Sequence, residues 1–216
     1  KAHCEKLNAL DLDHLHYQAP NGTDFTCWLI PGAQWHGGGD TLPDGTFFDP
    51  NMPTEEVFTS PMRGRCEGTL VSTLPLSYQG NLIDKFSITF ANGRVVSCQA
   101  EQGQALLERM VAMDEGAAML GELALVPVES PISQQGILYY NTLFDENAAC
   151  HVALGRGFNE VVPGFETMSG EELKAKGIND SIIHVDFMVG CKELSITGVT
   201  RDGREVPIFR NGTWAL

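Results

Sequence analysis

Four short segments of the sequence combine acidic residues or histidines with glycine, proline or small apolar residues. They are residues 53–56, 121–127, 143–151 and 181–188. Together they supply Glu, Glu, His, His and Asp side chains, a mixed nitrogen and oxygen ligand set that suits zinc, cobalt or manganese. Carboxylates can bridge two ions, and two ions about 3.5–4 Å apart can activate water for hydrolysis. These residue types therefore point to a metal-dependent hydrolytic site.

The segment 181–188 offers the clearest ligand geometry. His184 and Asp186 are two residues apart in a run with apolar residues at alternate positions. In a strand, such residues project from the same face. A His-x-Asp pair of this kind can chelate a divalent metal. The same pair also forms a plain histidine–carboxylate hydrogen bond in many proteins, so both interpretations stay open at this point.

Two acidic segments have structural as well as functional interpretations. Glu122 lies in an otherwise apolar strand-like run, and a buried carboxylate needs a partner or a metal. An exposed strand end would explain it equally well. Glu55 and Glu56 follow Pro53, a pattern that is also typical of a helix N-terminus, where the helix dipole favours acids.

The third segment predicts a helix over residues 146–154, with Asp145 as its N-cap. Asp145 and Glu146 fit the start of such a helix. His151 is harder to explain, because it lies among Ala, Cys, Val and Leu residues that such a helix would bury. It is either a hydrogen-bonded core histidine or a ligand.

Other catalytic signatures are missing from the sequence. The glycine run after His36 lacks the Lys-Ser/Thr of a phosphate-binding loop. There is no GxSxG motif, and no serine or cysteine has a local nucleophile signature.

Strand patterns dominate the elements that must position these residues. We predict strands over 24–29, 66–76, 85–90, 94–99, 193–200 and 204–209, with hairpin turns at Asn92-Gly93 and Asp202-Gly203. We predict helices over 102–113 and from a capping box at Ser169 to Gly177. The sequence therefore predicts an α+β fold: one strand-rich domain spanning residues 1–216, with a mixed sheet and a few short helices.

Composition excludes some partners. The formal net charge of −14 argues against binding nucleic acid or an anionic membrane. No apolar run approaches the roughly 18 residues of a membrane span. The six cysteines form no CxxC pair, which is typical of reduced thiols in a cytoplasmic protein. Because the chain begins with Lys1, we expect a longer or trimmed polypeptide.

Three motifs resemble one known family. Residues 52–58 (MPTEEVF), 145–151 (DENAACH) and 184–188 (HVDFM) are similar to segments of the aminopeptidase T-like, or thermophilic aminopeptidase, metallopeptidases. Supporting matches at 21–24, 114–117, 121–122, 130–133 and 211–214 extend the resemblance over nearly the whole chain.

The resemblance implies two divalent metal ions (Zn, Co or Mn) held by five side chains: Glu56, Glu122, His151, His184 and Asp186. Glu122 would bridge the ions, Glu56 and Asp186 would complete one site, and the two histidines the other. Glu55 and Glu146 would lie close by as catalytic groups that tune the ligands or move protons. Peptide substrates, release of N-terminal amino acids and a homodimer of the full-length protein are also implied.

Two departures from the family leave alternatives open. Family members are roughly twice as long, so their N-terminal domain is expected to be absent from this chain. They also have a tyrosine seven residues after the motif histidine, where this sequence has Phe158. Tyr139 or Tyr140 could replace its hydroxyl. The alternatives are a non-catalytic homologue that binds metal or peptide, and a metal-dependent hydrolase with non-peptide substrates.

Overall fold

A computed structural model describes residues 1–49 and 52–216 of the protein, without the side chain of Asp40. Within these residues the strands are Leu12–Gln18 (β1), Asp24–Leu29 (β2), Asp40–Thr41 (β3), Phe47–Phe48 (β4), Val57–Thr59 (β5), Pro61–Val71 (β6), Leu76–Tyr78 (β7), Asn81–Ala91 (β8), Arg94–Gln102 (β9), Leu120–Leu125 (β10), His151–Gly155 (β11), His184–Met188 (β12), Ser195–Thr200 (β13), Glu205–Arg210 (β14) and Thr213–Trp214 (β15). The helices are Ala2–Asn8 (α1), Gln104–Val111 (α2), Pro131–Gln135 (α3), Thr142–Asp145 (α4) and Gly170–Lys176 (α5). The strand-rich α+β prediction is confirmed.

A nine-stranded sheet forms the larger layer. Its order is β15-β14-β13-β1-β2-β6-β8-β7, and β9 also pairs with β8. Both predicted hairpins are present, and the β8–β9 turn places Asn92 and Gly93 at φ 50° and 73°. Positive φ at both central residues suits the right-handed twist of the flanking strands. The predicted strand over 66–76 is instead split into β6, which ends at Val71, and the short β7.

A four-stranded sheet of order β12-β11-β10-β5 forms the second layer. Its strands are far apart in sequence, and the long connections between them carry most of the helices. The prediction of a mixed sheet is wrong in one respect, because every strand pair among the described residues is antiparallel.

The main core lies between the two sheets. Phe86 of the large sheet packs on Phe187 of the small sheet, with ring centroids 5.4 Å apart. Leu123, Val152 and Val185 of the small sheet belong to the same buried cluster. Since successive side chains alternate between the faces of a strand, their neighbours must point away from this core.

A β-bulge at Gly121 sets which face of β10 each side chain uses. The register changes from Leu120 opposite Leu154 to Glu122 opposite Ala153. Leu120 and Leu123 both reach the core, which a regular strand would not allow, while Glu122 projects from the other face. The bulge needs glycine, because a Cβ at position 121 would lie 2.2 Å from the backbone oxygen of Arg156.

The predicted helices had mixed outcomes. The helix over 102–113 is confirmed as α2, and Ser169 and Glu172 form the predicted capping box of α5. The helix over 146–154 is wrong: residues 146–148 form a 3₁₀ turn, and His151 begins strand β11. The described residues 53–56 contain no helix either. Among the described helices, none has the length and apolar character to cross a membrane.

Candidate metal centre

Four of the predicted ligands lie on the face of the small sheet that points away from the core. Glu122 comes from β10, His151 from the start of β11, and His184 and Asp186 from β12. Ala153 stands opposite both Glu122 and Asp186. Its small side chain leaves space between these two carboxylates, so the sheet brings together ligands from three separate parts of the sequence.

Glu56 reaches the same place from the segment that enters β5. Its Oε2 lies 3.0 Å from Nε2 of His151, whose side chain is 1% exposed. On the other side of Glu122, His184 Nε2 lies 3.2 Å from Glu122 Oε2 and 3.3 Å from Asp186 Oδ1. All five predicted ligands are therefore within one cluster.

The cluster contains overlapping sets of ligand atoms that could each hold an ion. In each set, one ligand atom per residue lies within 4.8 Å of the others: Glu56, Glu122 and His151; Glu122, His184 and Asp186; and Glu146, His151 and Asp186. Glu122 is common to the first two sets. These distances group Glu56 with His151, and His184 with Asp186. The resemblance implied a different grouping, in which Glu56 and Asp186 complete one ion site and the two histidines complete the other.

Both histidines are held in one tautomer by backbone carbonyls. His151 Nδ1 lies 3.0 Å from the oxygen of Ala149, and His184 Nδ1 lies 2.7 Å from the oxygen of Arg156. A carbonyl oxygen can only accept, so each Nδ1 carries the hydrogen. In both rings Nε2 is therefore the atom turned toward the carboxylates, as expected for a metal ligand with an oriented ring.

The carboxylates of this cluster have no cationic neighbours among the described residues other than the two histidines. His151 Nε2 and Asp186 Oδ1 are buried, and their contacts with Glu56 at 3.0 Å and His184 at 3.3 Å lack hydrogen-bond geometry. In the part of the chain that the structure describes, no Lys or Arg pairs with Glu56, Glu122, Glu146 or Asp186. Buried carboxylates require compensating charge. These donors therefore fit divalent metal ions.

Burial and mutual repulsion shift the protonation of the acids. Burial, with the charge of nearby Asp186, raises the pKa of Glu122 to about 7 and that of Glu146 to about 8. Burial opposes the charged form of the histidines, but the surrounding carboxylates outweigh it. They raise the pKa of His151 to about 10 and that of His184 to about 11. Without metal, Glu146, His151 and His184 therefore keep protons bound at neutral pH.

Comparison with known proteins identifies the family of this chain. The sequence profile of the family described as thermophilic metalloprotease (M29) matches residues 1–214. The chain belongs to the M29 metalloprotease family. The resemblance drawn from the motifs is confirmed.

Several curated relatives match the chain closely. It is 50% identical to Aminopeptidase 2 of Geobacillus stearothermophilus over 210 residues, which are 97% of this chain and 51% of the relative. It is 51% identical to Aminopeptidase AmpS of Bacillus subtilis over 215 residues, 98% of this chain and 52% of the relative. The structure of wild-type AmpT from Thermus thermophilus is similar, with a TM-score of 0.93 and 40% identity over 99% of this chain and 52% of that chain. The chain thus spans about half the length of the curated relatives it matches.

Metal binding to this M29 chain is expected to strengthen as pH rises from about 6 to 9. The raised pKa values mean that His151 and His184 hold protons throughout this range, and each proton competes with metal for Nε2. Filling the cluster should release about two protons or more at pH 7. Calorimetric titration with Zn²⁺ in buffers of different ionisation enthalpy counts these protons; a buffer-independent heat would contradict the expectation.

The two acids predicted as catalytic neighbours differ in position. Glu146 belongs to the cluster, with a carboxylate oxygen within 4.8 Å of ligand atoms of His151 and Asp186. Glu55 is exposed and takes part in none of these sets among the described residues. Asp145, expected as a helix cap, instead accepts the backbone N–H groups of Tyr139 and Asn141 at 2.7 and 3.1 Å.

Phe158 lies directly beside the metal centre of this M29 chain. Its ring centroid is 5.0 Å from that of His184 and 5.0 Å from that of Phe58. The tyrosines considered as replacements are engaged elsewhere or exposed. The Tyr139 hydroxyl bonds to Gln135, and Tyr140 is 61% exposed.

Sequence reasoning missed one buried polar residue of the site, Asn147. It is 1% exposed and bonds to the segment that carries Glu56. The sequence offered one sign of this contact, an amide between the acids and the alanines of the motif at 145–151. The prediction of a helix over 146–154 gave Asn147 no bond to the Glu56 segment.

Proposed function

We propose that this chain carries the dinuclear metal site of an M29 aminopeptidase and releases N-terminal amino acids from peptides. The observation that carries the proposal is Glu122, whose buried carboxylate is shared by the Glu56–His151 set and the His184–Asp186 set. A shared carboxylate between two ligand sets is the arrangement expected for paired ions. The aminopeptidase names of the relatives support the substrate class.

The protein side chains have separate roles in this proposal. Bound divalent ions would supply Lewis-acid polarisation of a substrate carbonyl and an activated water. The ions would be held by Glu56, Glu122, His151, His184 and Asp186. The backbone carbonyls of Ala149 and Arg156 keep both imidazoles oriented. Glu146, which has a carboxylate oxygen within 4.8 Å of ligand atoms of His151 and Asp186, would accept and return a proton at the reacting centre.

The proposal is tested by metal content and hydrolysis together. After soaking in Zn²⁺ or Co²⁺ and removal of free ions, elemental analysis should find close to two ions per chain. The loaded chain should release amino acids from amino-acid amides and short peptides, and should leave N-acetylated peptides intact. No bound metal after soaking would overturn the proposal. Cleavage of esters or phosphates in preference to peptides would favour the hydrolase with non-peptide substrates.

Phe158 favours a second candidate function, a homologue that binds metal or peptide without turnover. A phenyl ring beside His184 has no hydroxyl to donate to a developing oxyanion. This candidate predicts two bound ions but no hydrolysis of any aminoacyl substrate. The homodimer of the longer protein, the cytoplasmic location and the domain assignment remain predictions.

A further inference from the structure

The two ligand sets of the metal centre are held to different degrees. Glu122, His184 and Asp186 all lie in strands of one sheet, joined through β11. Glu56 lies in the segment before β5 and belongs to no strand or helix. Val57, the next residue, pairs with Leu125 of β10 and so holds the C-terminal side of Glu56 in the sheet, but the residues before Glu56 need another contact to hold it beside His151.

Asn147 supplies that connection. Its Oδ1 accepts the backbone N–H of Glu55 at 2.6 Å, one residue before Glu56. Its Nδ2 donates to the backbone oxygen of Leu143 at 2.9 Å. Its own backbone oxygen accepts the buried Ser130 hydroxyl at 2.6 Å. Asn147 thus joins the Glu56 segment to α4 through its side chain, and its backbone bonds to Ser130, the N-cap of α3.

These contacts need a side-chain amide. One end of the side chain must accept from an N–H and the other must donate to a carbonyl, which an amide does and a carboxylate or alanine does not. Within residues 1–49 and 52–216, no other side chain hydrogen-bonds to the backbone of residues 52–56. The buried amide is therefore the side-chain anchor of this segment.

We propose that Asn147 positions Glu56 and thereby determines whether the Glu56–His151 half of the metal centre is occupied. The Glu122–His184–Asp186 half depends on strand pairing and is independent of Asn147. This inference rests on the proposed two-ion site. Asn147 is a positioning residue that acts on an ion through Glu56 and does not touch it.

The test is a titration of the metal-free chain with Co²⁺ or Zn²⁺, followed by calorimetry and elemental analysis. Wild-type protein should bind two ions. In Asn147→Ala, one of the two binding steps should be lost or weakened by roughly 10- to 100-fold, the effect of removing a buried hydrogen-bond partner. The other step should keep its affinity within about threefold, because its ligands remain in the sheet.

Two further variants identify the remaining ion and protect the test against misfolding. Adding Asp186→Asn to Asn147→Ala should remove the remaining ion. Asn147→Ser keeps a polar group but is too short to reach Glu55, so it should show the same selective loss if the alanine variant does not fold. Asn21→Ala is the matched control. Asn21 also accepts a backbone N–H, that of Thr23 at 3.0 Å, but in the β1–β2 turn, and this variant should bind two ions.

The outcomes separate this inference from the proposed function. Wild type and a folded Asn147 variant could both bind two ions with the same affinities. That result would overturn the role of Asn147 and leave the proposed function standing. Loss of both ions together from a folded variant would also overturn it, because the strand-held half should persist. A wild-type chain that never binds a second ion would overturn both proposals. Loss of one step, with the other unchanged, is the result that supports the inference.

Discussion

Replacing Glu122 with glutamine is expected to abolish hydrolysis and to remove metal from both halves of the centre. The carboxylate is common to the two main ligand sets, so its loss weakens both. Lewis-acid stabilisation contributes several kcal/mol, and each 1.4 kcal/mol is a factor of ten. We therefore expect activity to fall by roughly 10³-fold or more. Elemental analysis and initial rates on an amino-acid amide measure the two effects.

The fold should survive this substitution. Glu122 points away from the core, while Leu123 and Leu125 keep their buried positions on the other face of β10. Circular dichroism of the metal-free variant should match that of the metal-free wild type. Glu101→Gln is a matched control, since Glu101 is exposed and pairs with Lys85 at 2.8 Å on the large sheet. Full activity or two bound ions in Glu122→Gln would refute the shared-ligand assignment.

Replacing Phe158 with tyrosine is expected to increase the rate of an active chain. Phe158 already lies beside His184, so the change adds a hydroxyl to a ring at the centre without moving a ligand. A single oxyanion donor commonly contributes about 10²–10³ in rate. We expect kcat to rise by up to this factor while metal content stays at two ions per chain. Steady-state kinetics on an amino-acid amide measures the change.

A control variant separates this effect from a general effect of added hydroxyl groups. Phe165→Tyr places a hydroxyl on another ring packed against the same small apolar cluster. Its kcat should be unchanged. If Phe158→Tyr leaves an active chain at the same rate, the ring position contributes no transition-state donor. If wild type and variant are both inactive with two ions bound, the non-catalytic homologue becomes the better description.

The candidate site was largely predictable because its ligands have strong local signals. His184 and Asp186 share a strand face by spacing alone, and the structure confirms that geometry. Glu122 was ambiguous between a buried ligand and an exposed strand end, and its 3% exposure excludes the exposed strand end, while its role as a ligand stays a prediction. The resemblance supplied Glu56 and His151, for which the residues alone left structural alternatives open.

The error over residues 146–154 has a specific cause. Alanine and an acidic start favour a helix by intrinsic propensity, which is a weak preference. In the protein, residues 151–155 pair on both sides, with β10 and with β12. Burial of Val152 and Leu154 against the large sheet outweighs the local preference. The strand also brings His151 next to Glu56, a contact that does not follow from the predicted helix.

The sequence by itself determined the chemistry: which acids and histidines could bind metal, which hairpins form, and that strands dominate. Those features depend on residue type and on contacts a few positions apart. Only the tertiary structure decided how the candidate ligands divide into sets, that a bulge at Gly121 directs Glu122 away from the core, and that Asn147 accepts the backbone N–H of Glu55. Each of these depends on residues tens of positions apart, brought together because burying both sheets' apolar faces fixes their register.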